Sequence, residues 1–110
     1  MTDKEIREFI PTKFKIVNHT ITVKIEECGS DDTLIKYGQW CMATTTITLY
    51  RYLLDDKGNE IPQTKEQLMS TFYHELFHCF FDFQSWEQSE SDVQALSNMM
   101  VEYIDTMVFE

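Results

Sequence analysis

Residues 64–83 read TKEQLMSTFYHELFHCFFDF, and the fold turns on what this stretch becomes. Thr64 and Gln67 have the spacing of a capping box, in which each side chain satisfies the other's backbone N–H, so a helix is predicted to start there and run to about Phe83. Along it Phe72, Leu76, Cys79 and Phe83 mark one side, while Met69, Tyr73, Phe77 and Phe80 carry the apolar surface round to the next. A helix apolar over most of its girth is expected to lie between layers. The polar remainder holds Gln67, Ser70, Thr71, His74 and His78, and imidazoles withdrawn from water need a partner.

Within the stretch, His74-Glu75-Leu76-Phe77-His78 spells H-E-x-x-H and uses two of the chain's three histidines. Four residues apart on a helix, both rings sit on one face and can reach a single metal ion, with Glu75 beside it. The pattern predicts a zinc site for peptide-bond hydrolysis. His74 and His78 are ligands, and Glu75 takes a proton from a water on the zinc and passes it to the leaving amine. Catalytic zinc commonly takes three protein ligands and leaves a fourth position open, so one more is needed. The downstream candidates are Asp82, Glu87, Glu90 and Asp92. Asp82 lies about 12 Å along the axis from His74 at about 1.5 Å per residue, too far for a compact tetrahedron. Asp92 points away from the apolar stripe of its own segment. Glu90, three residues before Val93 and seven before Ser97, borders that stripe and faces inward, which makes it the expected third ligand, with Glu87 in reserve.

Outward from this helix, the fold class expected is α+β. A small, mostly antiparallel sheet packs on the H-E-x-x-H helix and on a second helix that carries the glutamate. That second helix begins near Ser89, with Ser89 or Ser91 as its cap, and continues through Val93, Leu96, Met100, Ile104 and Met107. Upstream, Phe14 to Val17 and Thr20 to Glu26 alternate around Asn18-His19 and read as a hairpin, with Ile21, Val23 and Ile25 on one face. Gly29 to Gly38 reads as loop or as a short helical turn. Thr44 to Tyr50 is β-branched and alternating, a strand, and the turn cluster at Asp55 to Asn59 folds it back through Glu60-Ile61 to Pro62. Thr2 to Ile10 is expected to form a short amphipathic helix, with Ile6, Phe9 and Ile10 on one side, ended by Pro11. A single domain over 1–110 follows, with 1–12 as an N-terminal helix or arm.

The chain has 110 residues, of which 43% are hydrophobic and 14% aromatic, which suffices for a core without disulfides. Nine basic against 19 acidic residues give a net charge of -10, which repels phosphate backbones and anionic membranes, so neither nucleic acid nor membrane is an expected partner. No signal-peptide pattern or membrane-length apolar run is present, which points to the cytoplasm. Cys28, Cys41 and Cys79 form no C-x-x-C pair and read as free thiols, with Cys79 a small buried hydrophobe. His19 reads as a turn or surface residue, and Tyr37, Trp40, Tyr73 and Tyr103 as candidates for oxyanion stabilisation.

The continuation H-E-x-x-H-x-x-G-x-x-H of the metzincins is not met, because Phe81 and Gln84 hold those positions. A glutamate on a following helix resembles the gluzincins, whose second helix often reads E-x-x-A-D/N, here Glu90-Ser91-Asp92-Val93-Gln94. The layout over residues 14 to 105 is similar to the small single-domain zinc-peptidase-like proteins of phages, prophages and prokaryotes, and to the catalytic core of the ImmA/IrrE-type peptidases. Phe77 stands where that pattern usually has Gly, and Val93-Gln94 replace Ala followed by Asp or Asn. The resemblance implies a zinc cofactor, a peptide or protein substrate, a bacterial host cytoplasm if phage-encoded, and a strand near the site that pairs with extended substrate, for which Thr44 to Tyr50 is the match or else simply a strand of the core. The alternative function is a non-catalytic acidic interaction protein that binds a basic host factor and holds zinc structurally or not at all.

Overall fold

In the computed structural model, which describes residues 1–28, 37–84 and 89–106, two successive residues with positive φ close the first hairpin. Val17 (φ 49°) and Asn18 (φ 64°) form its two-residue turn, a backbone shape whose twist suits a tight antiparallel pair. Asn tolerates that region easily, whereas a β-branched Val does not. The turn is therefore one residue earlier than expected from the sequence, and His19 belongs to the strand. Strand β1 (Lys13–Ile16) pairs antiparallel with β2 (His19–Glu26) through Phe14 opposite Ile21 and Ile16 opposite His19. Ile21 and Val23 are buried while Thr22, Lys24 and Glu26 face out, as the alternation requires.

Residues 29–36, part of the stretch read as loop or short helical turn, lie outside the described residues. β3 (Gly38–Cys41) and β4 (Thr46–Tyr50) form an antiparallel pair with Trp40 opposite Ile47, and β4 lies parallel to β2 with Ile25 opposite Leu49. The sheet order is β1-β2-β4-β3, so two of its three pairings are antiparallel. β4 is thus an interior strand, and the expectation that Thr44 to Tyr50 offers an edge to substrate is corrected: the outer edge on that side is β3. The physical reason lies in β4's coverage, since Ile47, Thr48, Leu49 and Tyr50 are all buried and both faces are packed. The unforeseen β3 closely approaches helix α2 (Lys65–Gln84) at Gly38. A Cβ there would sit 2.7 Å from Thr71 Cγ2 and 2.8 Å from the Thr48 carbonyl oxygen. Only a residue without a side chain lets the strand lie so close.

A second, two-stranded sheet follows, β5 (Tyr52–Leu54) against β6 (Glu60–Pro62), with Leu53 opposite Ile61. Asp55 Oδ1 accepts the N–H groups of Lys57 and Asn59 at 2.9 and 2.8 Å and shapes the turn. Gln63 then anchors the chain, its Nε2 donating to the carbonyls of Tyr50 (2.6 Å) and Tyr37 (3.0 Å). At the other end of the chain, helix α1 (Asp3–Ile6) carries a Thr2–Glu5 capping box and is shorter than the expected 2–10. Looser turns extend it, with Ile10 N–H donating to the Ile6 carbonyl at 2.9 Å, and Ile6 and Ile10 both reach the core. Arg7 fixes the segment to the sheet by donating from Nη2 to the Val23 carbonyl at 2.8 Å.

Helix α2 (Lys65–Gln84) starts at the predicted box: Thr64 N–H donates to Gln67 Oε1 at 2.8 Å, and Gln67 N–H to Thr64 Oγ1 at 3.2 Å. It packs on β3 and β4 with one side and on helix α3 (Glu90–Thr106) with the other. The core joins Ile6, Ile10, Ile21, Val23, Ile47, Leu49, Leu68, Phe72 and Cys79, so α2 is the layer between sheet and second helix that its girdle of apolar residues demands. Ser89 caps α3, receiving the Val93 N–H on its carbonyl at 2.9 Å. The fold is α+β. Among the described residues no helix is long and apolar enough to cross a membrane.

Candidate metal centre

Three side chains from the two helices converge on one point. His74 Nε2 lies 3.0 Å from Glu90 Oε2, His78 Nε2 lies 2.8 Å from Glu90 Oε1, and the two imidazole Nε2 atoms are 3.2 Å apart. The rings come from adjacent turns of α2 and meet edge to face with centroids 4.9 Å apart. Glu90 is the first residue of α3, where its charge is favoured by the helix N-terminus. Its side chain is 75% exposed while those of His74 and His78 are 18% and 15% exposed, so the cluster has a protein wall and a solvent side.

The donor set can hold a metal ion. One ligand atom from each of His74, His78 and Glu90 falls within 4.8 Å of the others. A tetrahedral zinc with bonds of about 2.0–2.2 Å separates its donors by about 3.3 Å, close to the 3.2 Å between the imidazole nitrogens, and each ring already meets one oxygen of the Glu90 carboxylate at 2.8 or 3.0 Å. Two imidazoles and one carboxylate also suit zinc chemically.

Glu75, on the same helix, is 8% exposed, and its Oε2 is buried without a hydrogen-bond partner among the described residues. Burial raises its pKa above the ordinary carboxylate value, against a partial opposing effect of the neighbouring imidazoles. A buried carboxylate oxygen left unsatisfied is costly, and such groups cluster where chemistry is done.

No family model, curated protein or solved structure matches the chain.

Of the other residues considered from sequence, Asp82 is outside the cluster and accepts the Trp40 indole N–H at 2.6 Å, which also uses up Trp40 as an oxyanion donor. Asp92 is exposed, and Glu87 lies outside the described residues, as does the side chain of Tyr103. Tyr37 is exposed, and Tyr73 packs on Phe72 with centroids 5.2 Å apart and has its pKa raised by burial. His19 stacks on Phe83 at 4.9 Å, away from the ligand group. Cys79 is fully buried in the core, its thiol pushed up to about 11 by burial and by the charge of Asp82.

One residue of the site was not assigned a role from sequence. Gln94 Oε1 lies 2.8 Å from His74 Nδ1, on the far side of the ring from the cluster, and Gln94 Nε2 donates to Ser70 Oγ at 3.3 Å and to Asn98 Oδ1 at 2.9 Å. Gln94 is four residues after Glu90, so the same helical face that delivers Glu90 delivers Gln94. That spacing was the available signal.

Proposed function

We propose that this chain is a zinc-dependent peptidase in which His74, His78 and Glu90 hold the ion and Glu75 is the general base and acid. The observation that carries the reading is the pairing of a three-donor cluster with a buried, unpartnered carboxylate oxygen on the adjacent helical position. When bound there, zinc would supply Lewis acidity, polarising a carbonyl and lowering the pKa of water. Glu75 supplies what the ligands do not, a proton acceptor that is not itself needed for binding. Burial raises its pKa, which makes the carboxylate a stronger proton acceptor. The substrate proposed is an extended peptide or protein segment, laid along the outer edge of β3, whose Trp40 reaches Asp82 at the C-terminal end of α2.

The test has two parts. Purified protein reconstituted with zinc is expected to bind about one ion per chain. Glu75→Gln is expected to keep the zinc and lose hydrolysis of a broad peptide library, because the amide matches the carboxylate in shape and accepts no proton. Equal activity of the two proteins would remove Glu75 from the mechanism. The net charge of -10 supports a second reading, a non-catalytic module that binds a basic partner. Zinc binding without hydrolysis of any library member is the result that favours it.

A further inference from the structure

The last basic residue of the chain is Lys65, at the start of α2. Residues 66–110 hold nine of the 19 acidic residues and none of the nine basic ones, so they carry -9 of the net -10. Residues 1–65, with ten acidic against nine basic residues, are nearly neutral. The charge of the molecule is therefore the charge of the part that builds α2 and α3, and Glu66, Glu90, Asp92 and Glu102 are exposed on these helices. Helix physics does not ask for this. A surface helix gains from Glu–Lys pairs four residues apart and from cations in its last turn, yet neither α2 nor α3 has a basic residue in its last turn.

The basic residues of the first half are engaged elsewhere. Arg7 donates to the Pro11 and Val23 carbonyls, and Arg51 donates to the Met1 carbonyl at 2.7 Å and lies 3.4 and 3.6 Å from Asp3 and Glu27. Lys65 sits 5.4 Å from the centre of the Phe9 ring. Lys13, Lys15 and Lys24 alternate with Phe14, Val23 and Ile25, which pack into or against the core, so these lysines lie on the opposite face of the sheet.

We propose that the substrate of the candidate site is a lysine- or arginine-rich polypeptide segment, drawn in by the negative field of α2 and α3, an inference that rests on the peptidase reading. The field and the site belong to the same two helices. His74, His78 and Glu90 converge there, beside the buried Glu75 oxygen that has no hydrogen-bond partner among the described residues. A bound zinc dication would offset only two of the nine negative charges, so the helices stay negative with the site filled. A field of one sign gathers ligands of the other and repels those of its own, with association rates changed by about 10- to 1000-fold. Charge that served solubility alone has no reason to gather on the helices of the site and leave the sheet half nearly neutral.

The test compares a lysine-rich and a glutamate-rich peptide library, matched in length and apolar content, with zinc-reconstituted protein. At low salt kcat/KM is expected to be about 10- to 100-fold higher for the lysine-rich library, and the ratio to fall to a few-fold in about 0.5 M salt, where screening is strong. Equal hydrolysis of the two at low salt, or a preference that salt leaves unchanged, refutes the proposal. Combining Glu66→Gln, Asp92→Asn and Glu102→Gln removes three exposed charges from the helices outside the proposed ligand set. This variant is expected to keep its zinc and lose much of the preference, chiefly through KM. Combining Glu26→Gln, Asp56→Asn and Glu60→Gln changes the net charge equally on the sheet half and is expected to keep the preference. Equal loss in the two variants would assign the effect to net charge and refute a field centred on the helices. Fluorescence anisotropy of the labelled peptides on Glu75→Gln protein reads binding without hydrolysis. Lysine-rich binding together with an inactive wild type would refute the peptidase and leave the cationic ligand standing, whereas binding with no preference refutes the cationic ligand whatever the activity.

Discussion

At the scale of single residues, Glu75 is held where its charge is costly. Its folded pKa lies above the ordinary carboxylate value because burial penalises the ionised form. A carboxyl of that kind contributes stability that is complete below its unfolded pKa and is lost as pH rises through the raised folded value. With metal removed, the wild type is therefore expected to lose stability relative to Glu75→Gln as pH is taken from the acid side of the carboxylate range to neutrality. Urea unfolding in the presence of chelator at several pH values checks this, and parallel profiles for the two proteins would contradict it. Gly38 carries a constraint of another kind. A methyl group there meets the Thr48 carbonyl as well as the Thr71 methyl, and backbone cannot give way as a side chain tip can. Gly38→Ala is expected to cost about 1–3 kcal/mol, as overpacking does, and to loosen β3 first, visible as faster amide exchange at Gln39 to Cys41. Stability within about 0.5 kcal/mol of wild type would show that β3 is not pressed against α2.

Among the elements, those with local signals were legible and those made by distant pairing were not. Thr64 and Gln67 announced α2 three residues apart, Ser89 announced α3, and helical phase alone brought Glu90 inward to His74 and His78. β3 was missed because four residues with a leading Gly carry almost no periodicity. The interior place of β4 was ambiguous for a different reason, since its pairing with β2 joins residues more than twenty positions apart, and no local pattern encodes a neighbour. The pairing of Gln94 with His74 depends on the register of two helices, although its spacing from Glu90 puts both on one face. The β5–β6 hairpin rests on a local device that yields a prediction. Hydrogen bonds from the Asn59 and Lys57 backbone lower the pKa of Asp55, so its ionised form stabilises the fold above its unfolded pKa and that contribution fades as pH falls through the depressed folded value. Asp55→Asn is expected to be less stable than wild type at neutral pH and indistinguishable from it in strong acid. A gap independent of pH would assign the effect to shape rather than charge.

For the whole molecule, α3 is tied to the rest of the chain through α2, and the proposed ion would bridge the two helices at one end of that contact. Saturating zinc is expected to raise the thermal midpoint by about 10 °C, because a ligand at 100 times its Kd adds about 2.7 kcal/mol and each kcal/mol moves a domain of this size by about 4 °C or more. His74→Ala and His78→Ala are expected to abolish the shift and Glu90→Gln to reduce it, with Asp92→Asn as the control that keeps it. An identical midpoint with and without chelator in the wild type would exclude the ion from the folding balance. The pairs Ser70–Asn98, His74–Gln94 and His78–Glu90, spaced by four residues on each helix, also guard against mispairing. Slid one turn towards the C-terminal end of α2, Glu90 would face Asp82, carboxylate against carboxylate, and slid the other way it would leave His78 without its anion while Gln94 met Ser70 instead of a ring. A shift of one turn in either direction thus breaks a polar pair, so the residues proposed for chemistry also proofread how the two helices come together.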